Sequence, residues 1–543
     1  MAMGPQEPNE SVPVLIERRA QEDPGGLLIQ DVRGPAITNA AFHEQALRVA
    51  DALASLGVRR GDCVVTMNDP CIAAHVCWIG ICWAGAMETP VNPEFRGNLL
   101  IYGINDCKAK VLITTNAYLE KIAAIRSELP HLEQVLTLDE IAPRSPLAVR
   151  TLASVVAEAP RLDHAPPTLM DPYAVIYTSG TTGPSKGVVV PWGSLQYAGQ
   201  ERLYVGDRPE DYERAIFYSP WPMFHSSGRT GLSFAAIRNG HVVIRERLST
   251  SAFWDDVRRF GCTHAHLLGL GNYLMAQPQR PDDADNPLRR VLMNPVIAEY
   301  REFERRFGVV ISTGWGMTEI GFPLAGADLP NFRTCGTLSP LYDVRIIDDA
   351  DRDVPEGEVG QLIIRPHRPW LLLTEYLGKP EATAKAWRDG WFYTGDALRR
   401  ESDGCYYFVD RVADYLRVRG NNVSSVELEN EVRTHPAVED VAAIGLPAAL
   451  VADARRSTVG RAAGSEDEIK LVVLRKSGAA LTELELLSYL IPRLPRFMTP
   501  RFIEFVEALP RTPTGKIQKK ALRTDCLSPG VWDRVAAGVD VPR

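Results

Sequence analysis

No stretch of this 543-residue chain carries a block of one charge, and the acidic excess is modest: 68 acidic against 60 basic side chains, a net charge of -8. The basic face that nucleic acid requires of a principal partner is therefore missing. Long apolar runs are scarce. The most apolar stretch, Cys71 to Ala86 (CIAAHVCWIGICWAGA), contains His75 and falls short of the roughly 20 residues a membrane span needs, so a helix buried in a domain is expected. The opening MAMGPQEPNESVPVLIERRA lacks a basic run followed by an apolar core, so no secretory signal is expected. The nine cysteines are scattered, without the CxxC or Cys/His spacing of a zinc site. Only Cys71, Cys77 and Cys82 lie near each other, inside the apolar helix, where thiols pack as small hydrophobes. The chain reads as reduced and cytoplasmic. No internal repeat or low-complexity tract stands out.

What is present is the composition of a globular protein, 45% hydrophobic and 24% charged. The length predicts two to four domains. Helical patterns alternate with short β-rich runs: Ala40 to Leu56 reads as a helix, Cys63 to Asp69 as a strand, Cys71 to Ala86 as a helix and Lys110 to Thr115 as a strand. This alternation predicts an α/β fold of mainly parallel sheets covered by helices. His241 to Leu248 and Thr263 to Leu270 read as further strands. Between Asp343 and Arg365, VRIID and VGQLIIR flank a turn and predict a hairpin in a more β-rich region. After Asp410 the pattern becomes a compact α+β unit. The expected organisation is a domain over 1–410, a hinge over 411–417 and a small C-terminal domain over 418–543.

The segment YTSGTTGPSKG, Tyr177 to Gly187, follows the short apolar strand AVIY. Gly180 and Gly183 let the backbone bend until its N–H groups converge on anionic oxygens. Thr178, Ser179, Thr181 and Thr182 add hydroxyl donors, and Lys186 adds a positive charge. Such a loop suits a polyphosphate, whereas a flexible linker needs neither the lysine nor the strand. It is not a Walker A loop, because Lys186 follows Ser185 and precedes Gly187.

The segment resembles the phosphate loop of the acyl-adenylate-forming superfamily: acyl-CoA synthetases, peptide-synthetase adenylation domains and luciferases. The likeness covers nearly the whole chain. GWGMTE (Gly314, Trp315, Gly316, Met317, Thr318, Glu319) resembles the family's GYGMTE element. That likeness implies an aromatic ring along the adenine, a threonine at the α-phosphate and a glutamate helping to hold Mg²⁺. Trp315 in place of tyrosine keeps the flat face and loses the hydroxyl. A helix N-terminus capped by Thr318 would explain Thr318 but not Gly-Trp-Gly. YTGD (Tyr393 to Asp396) resembles the ribose-binding turn, with Asp396 accepting from both ribose hydroxyls. Arg411, fifteen residues on, matches the arginine that also reaches the ribose. PRTPTGKIQKKALR resembles the element carrying the catalytic lysine, which maps to Lys516; Lys519 and Lys520 are near competitors, and the Thr-Gly before Lys516 fixes the register. A cation there stabilises charge building on the phosphoryl oxygens.

Phe408 to Pro436 and Met293 to Val309 resemble CoA ligases of the carnitine and crotonobetaine type. That likeness implies two steps: adenylation of a small carboxylic acid with ATP and Mg²⁺, then transfer to a thiol, CoA, after the C-terminal domain rotates. By the same likeness the hinge falls at Ala413, where many relatives carry Asp or Lys. MNPVIAEY (Met293 to Tyr300) replaces a Gly-Gly-Ala-Pro-like stretch of other branches. PMFHSSG (Pro222 to Gly228) resembles the loop whose histidine, here His225, sits beside the acyl group. His264 and His266 alternate along a strand, so both face one side. THAHLLGLGNY resembles the segment that shapes the family's acyl pocket, so with Asn272 they would line a pocket suited to a polar or aromatic acid better than to a long fatty chain. An adenylating enzyme with another acceptor (an amine, a carrier-protein thiol, or nitrite activated for N–N bond formation) is the alternative. A nucleotide-binding homologue that has lost the chemistry is disfavoured by Lys516, Glu319, Asp396 and Arg411 together. The oligomeric state, monomer or homodimer, is open.

Overall fold

The computed structural model describes residues 10–141, 145, 147–178, 185–197, 215–327, 329–348, 350–411, 416–418, 421–423, 425–447, 467–494, 498–511, 517–524 and 530–539. The predicted β/α alternation folds first as a parallel sheet. Cys63–Met67 lies between Met87–Pro90 and Val111–Thr114, with Gln134–Thr137 beyond. Every residue of Cys63–Met67 is buried. Both faces are covered, so the strand reads as a nearly continuous apolar run instead of an alternating one.

The apolar stretch forms the helix Ile72–Trp83. It is capped by Cys71, whose thiol accepts from the Ala74 N–H, and it is buried from Ala74 to Trp83. A Cβ on Gly80 would lie 2.6 Å from both the Ala46 carbonyl oxygen and Val49 Cβ. Glycine is what allows the close crossing with the helix Asn39–Ser55. Among the described residues no helix is long and apolar enough to cross a membrane.

Next come β1 (Pro172–Thr178) and β2 (Lys186–Pro191), an antiparallel pair with Thr178 opposite Lys186. A nine-stranded sheet follows. Its middle strands Ile216–Ser219, His241–Ile244, β3 (His264–Leu268), Arg290–Asn294 and β4 (Val310–Met317) are parallel. There β4 turns back into the antiparallel β5 (Gly321–Ala327). The β4–β5 turn thus lies at the carboxyl end of the parallel strands, where open α/β sheets form their ligand crevice. The short β6 (Glu375–Tyr376) adds to β2, with Tyr376 opposite Val188.

Tyr342–Ile347 and Gly360–Pro366 form the expected hairpin, which β7 (Trp391–Arg400) and β8 (Tyr406–Arg411) extend as an antiparallel sheet. From Leu416 onward the buried apolar residues gather into clusters of their own. They surround a sheet ordered Val438–Pro447, Asp467–Arg475, Phe502–Val506, Trp532–Asp533. The helix Glu483–Leu490 starts in a capping box between Thr482 and Glu485. The molecule is therefore α/β with a β-rich region and a C-terminal α+β unit.

Candidate functional site

The site begins at the β1–β2 hairpin. Residues Ser179, Gly180, Thr181, Thr182 and Gly183 lie outside the described residues; Thr178 and Lys186 are paired across the hairpin's mouth. Both roots of the loop are tied to one place. The Tyr177 hydroxyl donates to Asp106 Oδ2 at 2.8 Å, and the Tyr102 hydroxyl donates to the Ser185 carbonyl at 2.7 Å. Tyr102 belongs to α1 (Gly97–Asn105), and Asp106 caps it. Lys379 Nζ joins them, 2.7 Å from the Tyr102 hydroxyl and 3.3 Å from Asp106 Oδ1. Burial, then the neighbouring Cys107 and Asp106, push the Tyr177 phenol far above its ordinary value, so it remains a donor. Tyr102, Asp106 and Lys379 carry no motif, and sequence reasoning missed them.

The GWGMTE element is the end of β4 and the turn into β5, not a helix N-terminus. A Cβ on Gly316 would stand 1.8 Å from the Gly321 carbonyl oxygen, so the glycine is required by the close approach of the two strands. Trp315, buried to 7% exposure, donates from Nε1 to Asp396 Oδ2 at 3.1 Å. The platform read for adenine and the carboxylate read for ribose are thus in direct contact. Asp396 is 3% exposed. The YTGD segment differs from the expected turn: it lies within β7, where the register against Gly360–Pro366 shifts, and Gly395 takes φ +70. A left-handed residue inside a strand makes a local irregularity that re-aims the next side chain, which is Asp396. Across the ladder Asp396 faces Arg411. The fifteen-residue spacing is the length of the hairpin that brings them opposite; the Arg411 side chain lies outside the described atoms.

Glu319 is 6% exposed and accepts from the Tyr376 hydroxyl through Oε1 at 3.0 Å. Tyr376 also presents its ring to Lys186, whose Nζ is 4.2 Å from the ring centroid. Among the described residues no group of three or more His, Cys, Asp or Glu could hold a metal ion by itself. A lone buried carboxylate fits Mg²⁺, which is commonly held by one or two carboxylates with phosphate oxygens and water completing its octahedron.

His225 is exposed in the loop before α2 (Ser227–Ile237), its Nδ1 3.0 Å from Ser227 Oγ. His264 and His266 are buried on β3. His264 Nδ1 is 2.9 Å from Thr263 Oγ1, and its ring lies 5.1 Å from Phe234 of α2. Burial, then the charge of His225, push the His266 imidazole down to about 3, so it is neutral. Trp221 Nε1 donates to the His266 carbonyl at 2.9 Å. Asn272 is exposed on the short helix Gly271–Met275, so its exposure sets it apart from the two histidines. Lys516 and Ala413 lie outside the described residues. Of the competing lysines, Lys519 is engaged with Glu429 at 2.8 Å and with the Ser425 hydroxyl.

Comparison with known proteins gives four findings. The family described as AMP-binding enzyme matches residues 16–373. Crotonobetaine/carnitine–CoA ligase of Salmonella typhimurium is 31% identical over 502 residues, covering 89% of this chain and 92% of that protein. Among solved structures, the anthranilate CoA ligase AuaEII in complex with anthranoyl-AMP superposes with a TM-score of 0.79 at 24% identity, covering 98% of both chains. The amide bond synthetase McbA from Marinactinospora thermotolerans superposes with a TM-score of 0.76 at 22% identity, covering 95% of this chain and 100% of that one.

Proposed function

Since this chain belongs to the AMP-binding enzyme family and is an ATP-dependent, AMP-forming ligase, we propose that it adenylates a small carboxylic acid and passes the acyl group to CoA. The observation that carries the nucleotide reading is the Trp315–Asp396 hydrogen bond. It joins the proposed adenine platform to the proposed ribose carboxylate, with Arg411 opposite in the ladder. The phosphates follow the β1–β2 hairpin from Thr178 to Lys186, and Thr318 and Lys516 meet the α-phosphate. Glu319 holds Mg²⁺, which when bound neutralises charge on the phosphate oxygens. A carboxylate oxygen of the acid bonds to the α-phosphorus, and the bond from that phosphorus to the bridging oxygen breaks, releasing pyrophosphate. The chain's own contribution is to hold the reacting groups together and to place Lys516 where negative charge develops.

In the second half-reaction the thiol gives up its proton to solvent, its sulfur bonds to the acyl carbon, and the bond from that carbon to the anhydride oxygen breaks, so that AMP leaves with the oxygen. We assign the exchange of half-reactions to rotation of the unit after 417 about 411–417, at Ala413; the separate apolar clusters from Leu416 onward support an independent body. The buried His264 and the buried, neutral His266 beside Phe234 and Trp221 favour a small polar or aromatic acid, with His225 at the entrance. The cytoplasm, where CoA and ATP are available, is the proposed location. CoA is preferred as acceptor because the relatives that cover 89% of the chain are named CoA ligases. An amine is the competing acceptor, since an amide bond synthetase shares the fold.

The test is pyrophosphate release from ATP across a panel of carboxylic acids, run with CoA, with amines and with neither. Thioester formation with CoA is the expected result, and amide formation without CoA would replace it by the competing reading. Lys516→Ala should lose adenylation while still forming thioester from a supplied acyl-AMP. Loss of neither activity would remove Lys516 from the first step.

A further inference from the structure

We propose that Tyr376 is a positioning residue that couples the phosphate-loop lysine to the metal-holding carboxylate; this rests on the reading of Glu319 as the Mg²⁺ carboxylate. One side chain makes both contacts. Its hydroxyl donates to Glu319 Oε1 at 3.0 Å, and its ring centroid lies 4.2 Å from Lys186 Nζ. The strand register explains how. Tyr376 pairs with Val188 on β2, two residues from Lys186, while the Leu373 N–H donates to the Glu319 carbonyl at 2.6 Å and ties the start of this segment to the β4–β5 turn. Tyr376 is 4% exposed and Glu319 6%, so the hydroxyl contact is made out of water, while Lys186 is partly exposed.

The arrangement has a chemical consequence. A lysine and a glutamate reaching the same buried side chain would ordinarily close into an ion pair. Here no ion pair joins the two: the ring face carries the ammonium and the hydroxyl carries the carboxylate. The Lys186 ammonium is thereby held apart from the carboxylate and left to meet phosphate oxygens. Glu319 is oriented through one oxygen, which leaves the other for the metal. The phenol thus serves the two halves of the polyphosphate site in separable ways, the ring for the lysine and the hydroxyl for the carboxylate.

The separation makes the inference testable by direct binding with the full-length enzyme. The probe is α,β-methylene-ATP, which cannot release pyrophosphate, titrated by calorimetry without metal and then with increasing Mg²⁺. Tyr376→Phe keeps the ring and removes the hydroxyl. Metal-free nucleotide affinity should stay within about twofold of the parent, while the Mg²⁺ concentration for half-maximal enhancement rises by about tenfold, the loss of one hydrogen bond to a charged group. Tyr376→Leu removes both contacts and should also weaken metal-free affinity by about threefold, the scale of a cation–π contact. Circular dichroism establishes that each variant is folded; if the leucine variant is not, the phenylalanine variant alone decides. An unchanged Mg²⁺ titration for Tyr376→Phe overturns the inference and leaves the nucleotide site standing. Absence of any Mg²⁺ enhancement in the parent enzyme overturns both this inference and the assignment of Glu319.

Discussion

Arg229 and Glu88 form an ion pair with no access to water. Nη1 lies 2.5 Å from Oε2, and the two side chains are 0% and 2% exposed. The guanidinium stacks over Trp78 at 4.7 Å, and Glu88 Oε1 accepts from Thr66 Oγ1 at 2.6 Å. Arg229 stands in the first turn of α2, directly after the His225 loop, while Glu88 is on the strand Met87–Pro90 of the other sheet. The pair therefore fixes the start of α2, after the loop that carries His225, to the body of the fold. Glu88→Gln conserves shape but leaves a buried positive charge unpaired, which costs about 3–5 kcal/mol. Unfolding entropy of about 2.1 cal/mol/K per residue over roughly 400 residues N-terminal to the C-terminal unit gives about 0.8 kcal/mol/K, so Tm should fall by about 4–6 °C. The double variant Glu88→Gln/Arg229→Met removes both charges and should recover most of that loss, since an apolar replacement of a buried pair is close to neutral. Differential scanning fluorimetry of the parent, both single variants and the double variant measures this. A Glu88→Gln shift below about 1 °C, or a double variant as unstable as the sum of the singles, would show that the two charges do not depend on each other for burial.

Three further outcomes are expected. His75 and His266 are buried and neutral, with imidazoles pushed down to about 4 and about 3, in each case by burial first. The unfolded chain takes up protons below about 6.5 where the native state does not, so stability falls as pH drops from 6.5 towards 4, by roughly 2 kcal/mol per histidine at pH 5. Tm measured from pH 7 to 5 should show that slope, and His75→Gln/His266→Gln should flatten it. Lys379→Met breaks the tie beneath both roots of the β1–β2 loop, proposed to hold the phosphates, and steady-state kinetics should show KM for ATP up by about tenfold with a smaller change in kcat. Gly395→Ala has no steric clash but is strained at φ +70, at a cost of about 1–2 kcal/mol. It should raise KM for ATP several-fold by displacing Asp396, whereas Gly57→Ala, equally free of contacts at φ +80, should leave KM unchanged.

What was legible in the sequence was local. The helix Ile72–Trp83 announced itself by apolar composition, and the hairpin of Tyr342–Ile347 with Gly360–Pro366 by two apolar runs flanking a turn. The resemblance linked Asp396 and Arg411 through the ribose, and the fifteen-residue interval is the length of the hairpin that sets them opposite. Trp315, Thr318 and Glu319 could be singled out by resemblance because they share one short segment, in which backbone contact demands a glycine at 316. The YTGD segment shows the limit of such reading: Gly-Asp signals a sharp bend, and only pairing on both sides made the bend an irregularity inside β7.

Tertiary structure decided everything that depends on which layers meet. Lys379 comes from far along the chain to meet Tyr102 and Asp106, which hold the roots of the β1–β2 loop from the end of α1, and Tyr376 reaches Lys186 and Glu319 together. None of these residues lies in a spacing pattern, because their partners are set by sheet order and not by neighbouring residues. The same holds for the bond from Trp315 to Asp396, residues 81 positions apart. Local periodicity and glycine geometry are written in consecutive residues and survive as sequence signals. Contacts across packed sheets are chosen by shape and burial of the whole, and they become visible only when the chain is folded.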